Sequence, residues 1–397
     1  MTSDVRVLSA FNTEIHDALI AKARGLRPLL EKSAAEHERR GELLPEVVAA
    51  LDEAGFFKMP VPRRWGGLCV SSYTMMEATA ELAKGCPSTA WVVSIVTNAV
   101  WSASVLPLRI QEVMFRDGVP RICSPQNGMG KLESSEGKMI LNGRWSYASA
   151  SHHASWAVMP AMSPEGKLCF AAAPMSQLRI ELTWDVAGMK GTGSDTVVAE
   201  NVVIDPVLIH HVPLDGSREP LRGHMPEPTD YWVVFPLLRG KATSVLLGIA
   251  EGLLECVLAG RDRPLIYSTY ERRKDSAVWH AGAGEAAAMI GVARTICERQ
   301  HHLFDDAALQ GRILTYPERA KCRGEGAVIV QMLIDAVEKL MNLSGSSAYL
   351  SSNPIQRYWR DFSIAARHIV FNVELGYEVY GKQLMGIEPN VVGSEAV

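Results

Sequence analysis

The hydrophobic period of this 397-residue chain changes twice, and those two changes narrow the folds open to it. Up to about Arg116, apolar residues recur at three- and four-residue spacing, as on helices with one buried face. Past Gly118, glycine or proline interrupts the chain roughly every eight to twelve residues, and β-rich runs recur at 138–145, 156–161, 168–173 and 196–204. From Val233 onward long helical spacing returns. Helices, then strands, then helices in separate blocks argue for segregated layers rather than alternating βαβ units. The expected class is therefore α+β, mostly α. It has an N-terminal helical domain over 1–118, a central antiparallel β domain (sheet or barrel) over 119–230 and a C-terminal four-helix bundle over 231–397.

Local signals sharpen this outline. A helix is expected over 8–35, interrupted near Pro28, and a second over 44–54 opens on Pro45 and stops at Gly55. A third, over 73–83, ends at Lys84-Gly85; Ser88 then caps an uncharged helix, and Pro107 opens a short one to Phe115. Ser163-Pro164-Glu165-Gly166 reads as a hairpin turn, and 205–228 as an irregular linker with several prolines. Four long helices follow, at about 239–261, 276–302, 317–343 and 354–380. The last opens on Asn353-Pro354, a cap and first helical position. If it is continuous, Asp361, Ile364, His368 and Leu375 share one face. That face carries an imidazole, the side chain suited to proton transfer near neutral pH.

Composition excludes several classes. With 47% hydrophobic residues, 21% charged residues and a net charge of -4, the chain gives no electrostatic reason to bind nucleic acid or an anionic membrane. The seven cysteines are scattered without a Cys-x-x-Cys pair, which suits reduced intracellular thiols and a cytoplasmic protein. The uncharged stretch 85–108 holds too many hydroxyls, amides and prolines for a membrane span and is expected to be a buried helix. No dinucleotide fingerprint, phosphate loop or nucleophile elbow is present. The doublets His152-His153, His210-His211 and His301-His302 lack ligand spacing, so no metal is expected.

Three segments could carry chemistry. Trp145-Ser146-Tyr147-Ala148-Ser149-Ala150-Ser151-His152-His153-Ala154-Ser155-Trp156 sets hydroxyls beside large flat rings at a turn, either a cofactor wall or a hairpin with core aromatics. Gly188-Met189-Lys190-Gly191-Thr192-Gly193-Ser194-Asp195 lets the backbone approach a ligand closely or is a structural loop. Ser344-Gly345-Ser346-Ser347 can hold an anion or merely join helices, and Arg261, Arg263, Arg272 and Arg273 offer phosphate donors or a solvated charge cluster.

Together these segments resemble the acyl-CoA dehydrogenase fold. Within it they resemble the oxygenase components of two-component flavin-dependent monooxygenases, such as 4-hydroxyphenylacetate hydroxylase and the steroid-catabolic 3-hydroxy-9,10-secoandrostatriene-dione hydroxylase. The resemblance spans nearly the whole chain. It rests on Phe56-Phe57, Trp65-Gly66-Gly67, Ser88-Thr89-Ala90-Trp91, His153-Ala154-Ser155-Trp156, Gly191-Thr192-Gly193-Ser194 and, most specifically, Pro354-Ile355-Gln356-Arg357-Tyr358-Trp359-Arg360-Asp361. The alternative chemistry of this fold is a flavin-dependent acyl-CoA dehydrogenase. Its catalytic carboxylate commonly stands eight residues after the Arg-Asp pair, where this chain has Ile369.

The resemblance implies a chain that takes reduced FMN or FAD from a separate NAD(P)H:flavin reductase. With O₂ it would hydroxylate an aromatic or heteroaromatic small molecule through a flavin hydroperoxide, as a homotetramer. It puts Ser149 at the reactive flavin nitrogen, Trp145 against the ring and Ser124 in the same cavity. Gly193 and Ser194 would bind the cofactor, Arg263 its phosphate, and Gly345 and Ser346 the flavin across a subunit boundary. His368 would take the substrate's proton, with Asn98 and Trp101 in the substrate pocket. Several relatives carry a histidine where Ala99 stands here, which opens the substrate range beyond simple phenols.

Overall fold

The computed structural model describes residues 10–211, 227–388, 390–392 and 397. Proline and glycine set many boundaries where the sequence places them. Helix α2 (Pro45–Ala54) opens on Pro45 and ends at Gly55 with φ 89°, a left-handed stop that favours glycine. Helix α1 (His16–Arg40) ends the same way at Gly41, φ 75°. Pro28, expected to break α1, lies inside it without a break. Helix α3 (Ser72–Gly85) is capped by Ser71, whose side chain accepts from the Thr74 N–H. Helix α4 (Pro87–Ala103) starts on Pro87 after Cys86, so Ser88 is a helical residue and not the expected cap. Helix α5 (Leu108–Met114) follows Pro107.

Among the described residues eight strands follow: β1 (Ile122–Cys123), β2 (Gly130–Ser135), β3 (Lys138–Trp145), β4 (Trp156–Met162), β5 (Leu168–Pro174), β6 (Arg179–Glu181), β7 (Thr196–Ile204) and β8 (Ile209–His211). They form one sheet in the order β6-β7-β3-β2-β4-β5-β8, with β1 beside β4. The sheet is mostly antiparallel, but β4 pairs in parallel with both β1 and β2, which a purely antiparallel expectation omits. The turn at 163–166 joins β4 to β5, closed by the Gly166 N–H on the Ser163 carbonyl at 2.9 Å. The expected linker begins with a short 3-10 turn and β8; its residues 212–226 lie outside the described residues.

The second helical block comprises α6 (Val234–Ala259), α7 (Ala277–Leu309), α8 (Tyr316–Ser344), α9 (Pro354–Ala365) and α10 (Val373–Leu384). The single helix expected over 354–380 is two helices. After α9 the chain turns, His368 caps a 3-10 turn over Ile369–Phe371, and Asn372 caps α10 by accepting from the Leu375 N–H. The supposed stripe from Asp361 to Leu375 therefore does not exist, because side chains of His368 and Asn372 satisfy backbone donors that a continuous helix would have used.

Both helical blocks share one core. Leu19, Leu51, Met76 and Leu82 belong with Leu246, Leu253, Leu333 and Phe362. A second core lies between the sheet and the end of α4, with Ala99, Val100 and Ala103 packed among Trp145, Ala157 and Val197. Helix α4 thus runs from one core into the other. Among the described residues only α6 is long and apolar enough to cross a membrane by length and composition, and 67% of that window is buried.

Helices α3 and α6 meet at Gly248, where an added Cβ would lie 2.2 Å from the Ala80 carbonyl oxygen. Gly248→Ala is expected to cost about 1–3 kcal/mol by forcing the helices apart. Gly284→Ala on α7 meets nothing within 4 Å and is expected to raise the unfolding midpoint. Thermal unfolding of the two variants checks the pair.

Candidate functional site

The site grows from α4. Nearly all of this uncharged helix is buried; the partly open positions along its length are Ile95, Asn98 and Ser102. With Trp91, 5% exposed, they recur at four- and three-residue spacing and so form one stripe. That stripe is the more open face of α4.

A loop from the sheet meets it. After β3, Tyr147 and Ala150 both take left-handed backbone (φ 58° and 67°), a strained conformation for residues with a Cβ. The loop is tied to 188–195 by the Ala148 N–H on the Asp195 carbonyl and the Ala150 N–H on the Thr192 carbonyl, each 3.0 Å. The Tyr147 ring is consequently 60% exposed, braced edge-on by Trp184 at 5.6 Å. Ser149 Oγ lies 2.7 Å from Ser194 Oγ, which lies 2.7 Å from Thr192 Oγ1. The Trp91 indole N–H donates to Ser149 Oγ at 3.4 Å.

His368 arrives from the opposite side. Its ring meets the Trp91 ring edge-on, centroids 5.2 Å apart. The Val370 N–H donates to Nδ1 at 3.4 Å, which leaves Nε2 for a ligand. Burial pushes its pKa down to about 4, so the imidazole is neutral at pH 7. Ile369, at the dehydrogenases' carboxylate position, is 85% exposed. Helix α9 is docked on the glycine loop through Asp361, which accepts from the Met189 N–H and whose carboxyl burial pushes up to about 7. Gly188 makes this approach possible: a Cβ there would lie 2.4 Å from the Arg360 carbonyl.

Histidines hold the loop from the other flank. His152 Nε2 is 2.7 Å from Asp195 Oδ2, and Asp195 Oδ1 also accepts from the Thr183 and Trp184 N–H groups at 2.7 and 2.8 Å. His153 Nε2 accepts from the Leu43 N–H at 3.1 Å. The buried His37 lies against Gly191, where a Cβ would come 2.8 Å from its own. Burial lowers His37, His153, His301 and His368 each to about 4. In the unfolded chain these rings protonate near pH 6.5. Their contribution is thus complete above about 6.5 and is lost as pH falls toward 4. Asp305 and Asp361, raised to about 7 by burial, act in the opposite sense and offset part of the loss. The expected result is a net fall in unfolding midpoint from pH 6.5 to 4. His153→Gln, which keeps an acceptor for Leu43 but cannot be protonated, should make that fall shallower.

The remaining expected site residues divide. Ser124 follows β1 and donates to the Val158 carbonyl at 3.0 Å, half-buried. Asn98 lies on the α4 stripe. Trp145 does not offer a free ring face. It is fully buried, its N–H on the Pro160 carbonyl at 2.9 Å, and Gly130 and Gly143 give its indole room. Trp101 is likewise 0% exposed and donates to the Thr229 carbonyl at 2.8 Å; it lies off the stripe. Gly193, φ 53°, is accounted for by His152, which a Cβ would meet at 2.6 Å. Arg263 is exposed and adjoins Arg273, whose pKa is lowered by burial and by the Arg263 charge. Arg273 donates to the Ser344 carbonyl at 3.2 Å, so the arginine cluster and the Ser344-Gly345-Ser346 turn form one cationic corner.

Two groups at the cleft were missing from the expected site. Trp91 was legible only as part of a motif on a buried helix, and Tyr147 only as one of the flat rings of the 145–156 segment, because the backbone strain that exposes its ring has no sequence signature. The residues fit a planar cofactor. Tyr147 offers a face, and Ser149 and Ser194 offer hydroxyls at its edge. The Arg263–Arg273 corner suits an anionic tail. The seven cysteines are free thiols, and among the described residues no cluster of three or more metal-ligating side chains occurs.

The acyl-CoA dehydrogenase N-terminal domain family matches residues 13–106, and the acyl-CoA dehydrogenase C-terminal domain family matches 242–373. By fold and domains, the chain belongs to the acyl-CoA dehydrogenase fold family. Three full-length likenesses narrow this. The chain is 28% identical to the FADH(2)-dependent resorcinol hydroxylase oxygenase component of Rhizobium sp. (strain MTP-10005), covering 95% of this chain and 96% of that protein. It is 28% identical to the flavin-dependent monooxygenase oxygenase subunit HsaA of Mycobacterium tuberculosis (strain ATCC 25618 / H37Rv), over 94% and 96%. It also superposes on the structure of XiaF from Streptomyces sp. in complex with FADH2 and glycerol, with a TM-score of 0.90, 28% identity, and coverage of 96% and 98%. Within its fold family the protein is a flavin-dependent monooxygenase of the oxygenase-component kind.

Proposed function

We propose that this chain is the oxygenase half of a two-component system, hydroxylating an aromatic or heteroaromatic small molecule in the cleft between α4, the β3–β4 loop and His368. The observation that carries this reading is Trp91, whose indole touches Ser149 on one side and His368 on the other. It joins a hydroxyl pair suited to a flavin edge to an imidazole suited to a substrate. A bound reduced flavin, FMN or FAD, supplied by a separate NAD(P)H:flavin reductase, provides with O₂ the oxygen atom that is transferred.

The protein's own groups then have distinct tasks. Ser149 and Ser194 hold the ring edge, and the Tyr147 face packs on it. Trp91 and Ile95 wall the cleft with apolar surface and keep water from the reacting atoms. His368 hydrogen-bonds the substrate's heteroatom through Nε2. Its conjugate acid near 4 makes it a weak base, and with Nδ1 accepting from the Val370 N–H the ring carries its hydrogen on Nε2; it therefore donates to the substrate's oxygen and stabilises the negative charge left there when the substrate's proton passes to solvent. Arg263 pairs with the flavin phosphate, and Gly345 and Ser346 serve the flavin of a neighbouring copy in a homotetramer.

Purified chain is expected to give hydroxylated product only when supplied with reduced flavin and air together. Bleaching of oxidised flavin by an acyl-CoA thioester, without oxygen incorporation, would replace this reading with a dehydrogenase.

A further inference from the structure

Two polar side chains on α4 have no use in the reaction described above. Ser94 and Asn98 are four residues apart, so they stand one turn apart on one side of the helix. Asn98 is on the cleft stripe and Ser94 on its flank, 1% exposed. Ser94 Oγ and Asn98 Oδ1 are both buried and neither has a hydrogen-bond partner in the protein. Buried polar atoms are ordinarily paired, so two orphans side by side call for a cause. The neighbouring Thr97 is fully engaged: it donates to the Val93 carbonyl at 2.7 Å and accepts from Lys241 Nζ at 3.4 Å. Thr89 Oγ1, nearer the start of α4, is also unpaired, but Ser94 and Asn98 are the two that stand one turn apart beside the open stripe.

Their position along the helix sets a length. Asn98 is seven residues beyond Trp91, where Ser149 and His368 converge, and the helix advances about 10 Å over that interval. One benzene ring does not span it; two or three fused rings do.

We infer that Ser94 and Asn98 form the distal end of the substrate subsite, and that the substrate is an elongated fused aromatic bearing a hydroxyl at the end remote from the reacting position. Such a group gives its hydrogen to Asn98 Oδ1 and accepts one from Ser94 Oγ, which pairs both orphans at once. The placement of the reacting end rests on the monooxygenase reading; the polar end does not.

The test is equilibrium dialysis of hydroxyfluorene and fluorene against the protein with reduced flavin under anaerobic conditions, where binding is read without turnover. Wild type should hold hydroxyfluorene at least about 10-fold more tightly than fluorene, since a buried acceptor is paired only by the former. Asn98→Leu, folded by its far-ultraviolet dichroism, should bring the two within about twofold, whereas Asn98→Asp keeps an acceptor and should retain the preference. Ser94→Ala should reduce it. Equal affinities in wild type, or a preference that survives Asn98→Leu, overturns the inference. An Asn98-dependent preference in a protein that fails to hydroxylate any aromatic with supplied reduced flavin would remove the monooxygenase reading and leave the subsite standing.

Discussion

His368→Ala should lower hydroxylation about 10²-fold or more while reduced flavin still binds, because the variant loses the group that polarises the substrate and leaves Ser149 and Ser194 in place. The ring is held by its own turn, with Nδ1 on the Val370 N–H and its edge on Trp91. Loss of the imidazole therefore removes a chemical group without removing a helix. Single-turnover hydroxylation at saturating substrate, with reduced flavin and air supplied, reads the effect; unchanged turnover would take His368 out of the mechanism. The wild-type rate should also show no break from ionisation of His368 between pH 5 and 8, since that ring titrates near 4.

Trp91→Ala should be the most damaging substitution in the cleft. The indole is 5% exposed and sits in the shared helical core, so its removal is expected to cost about 3–5 kcal/mol of stability. It also takes away the donor to Ser149 and the surface on which His368 rests. Trp91→Phe separates the two effects: it keeps most of the packing but not the N–H. Unfolding midpoints should recover in Trp91→Phe, while hydroxylation should remain depressed. A Trp91→Ala protein as stable as wild type would contradict the bridging role assigned to this ring.

Where a backbone requirement is local, the residues announced the result. Pro45 and Gly55 bound α2, Asn353 caps α9, and the 163–166 turn joins its strands as expected. The failures share a different cause. The stretch 354–380 has helical spacing throughout, but His368 and Asn372 cap new turns within it, and a periodic pattern does not reveal which polar side chain will take a backbone donor. Trp145 looked like a cofactor wall because it adjoins a loop of hydroxyls. The glycines that give its indole room in the sheet, Gly130 and Gly143, lie on two strands, and only their pairing shows what they are for.

The amino-acid order alone determined the block architecture, since period and turn chemistry are properties of neighbours along the chain, and with it the resemblance that pointed to flavin and oxygen. The tertiary structure alone decided which face of α4 is open. Every residue of that helix is uncharged, so its pattern carries no contrast between inside and cleft. The stripe from Trp91 to Ser102, and with it Asn98 rather than Trp101 as a cleft residue, arises only when the sheet and the helical core claim the helix's other sides.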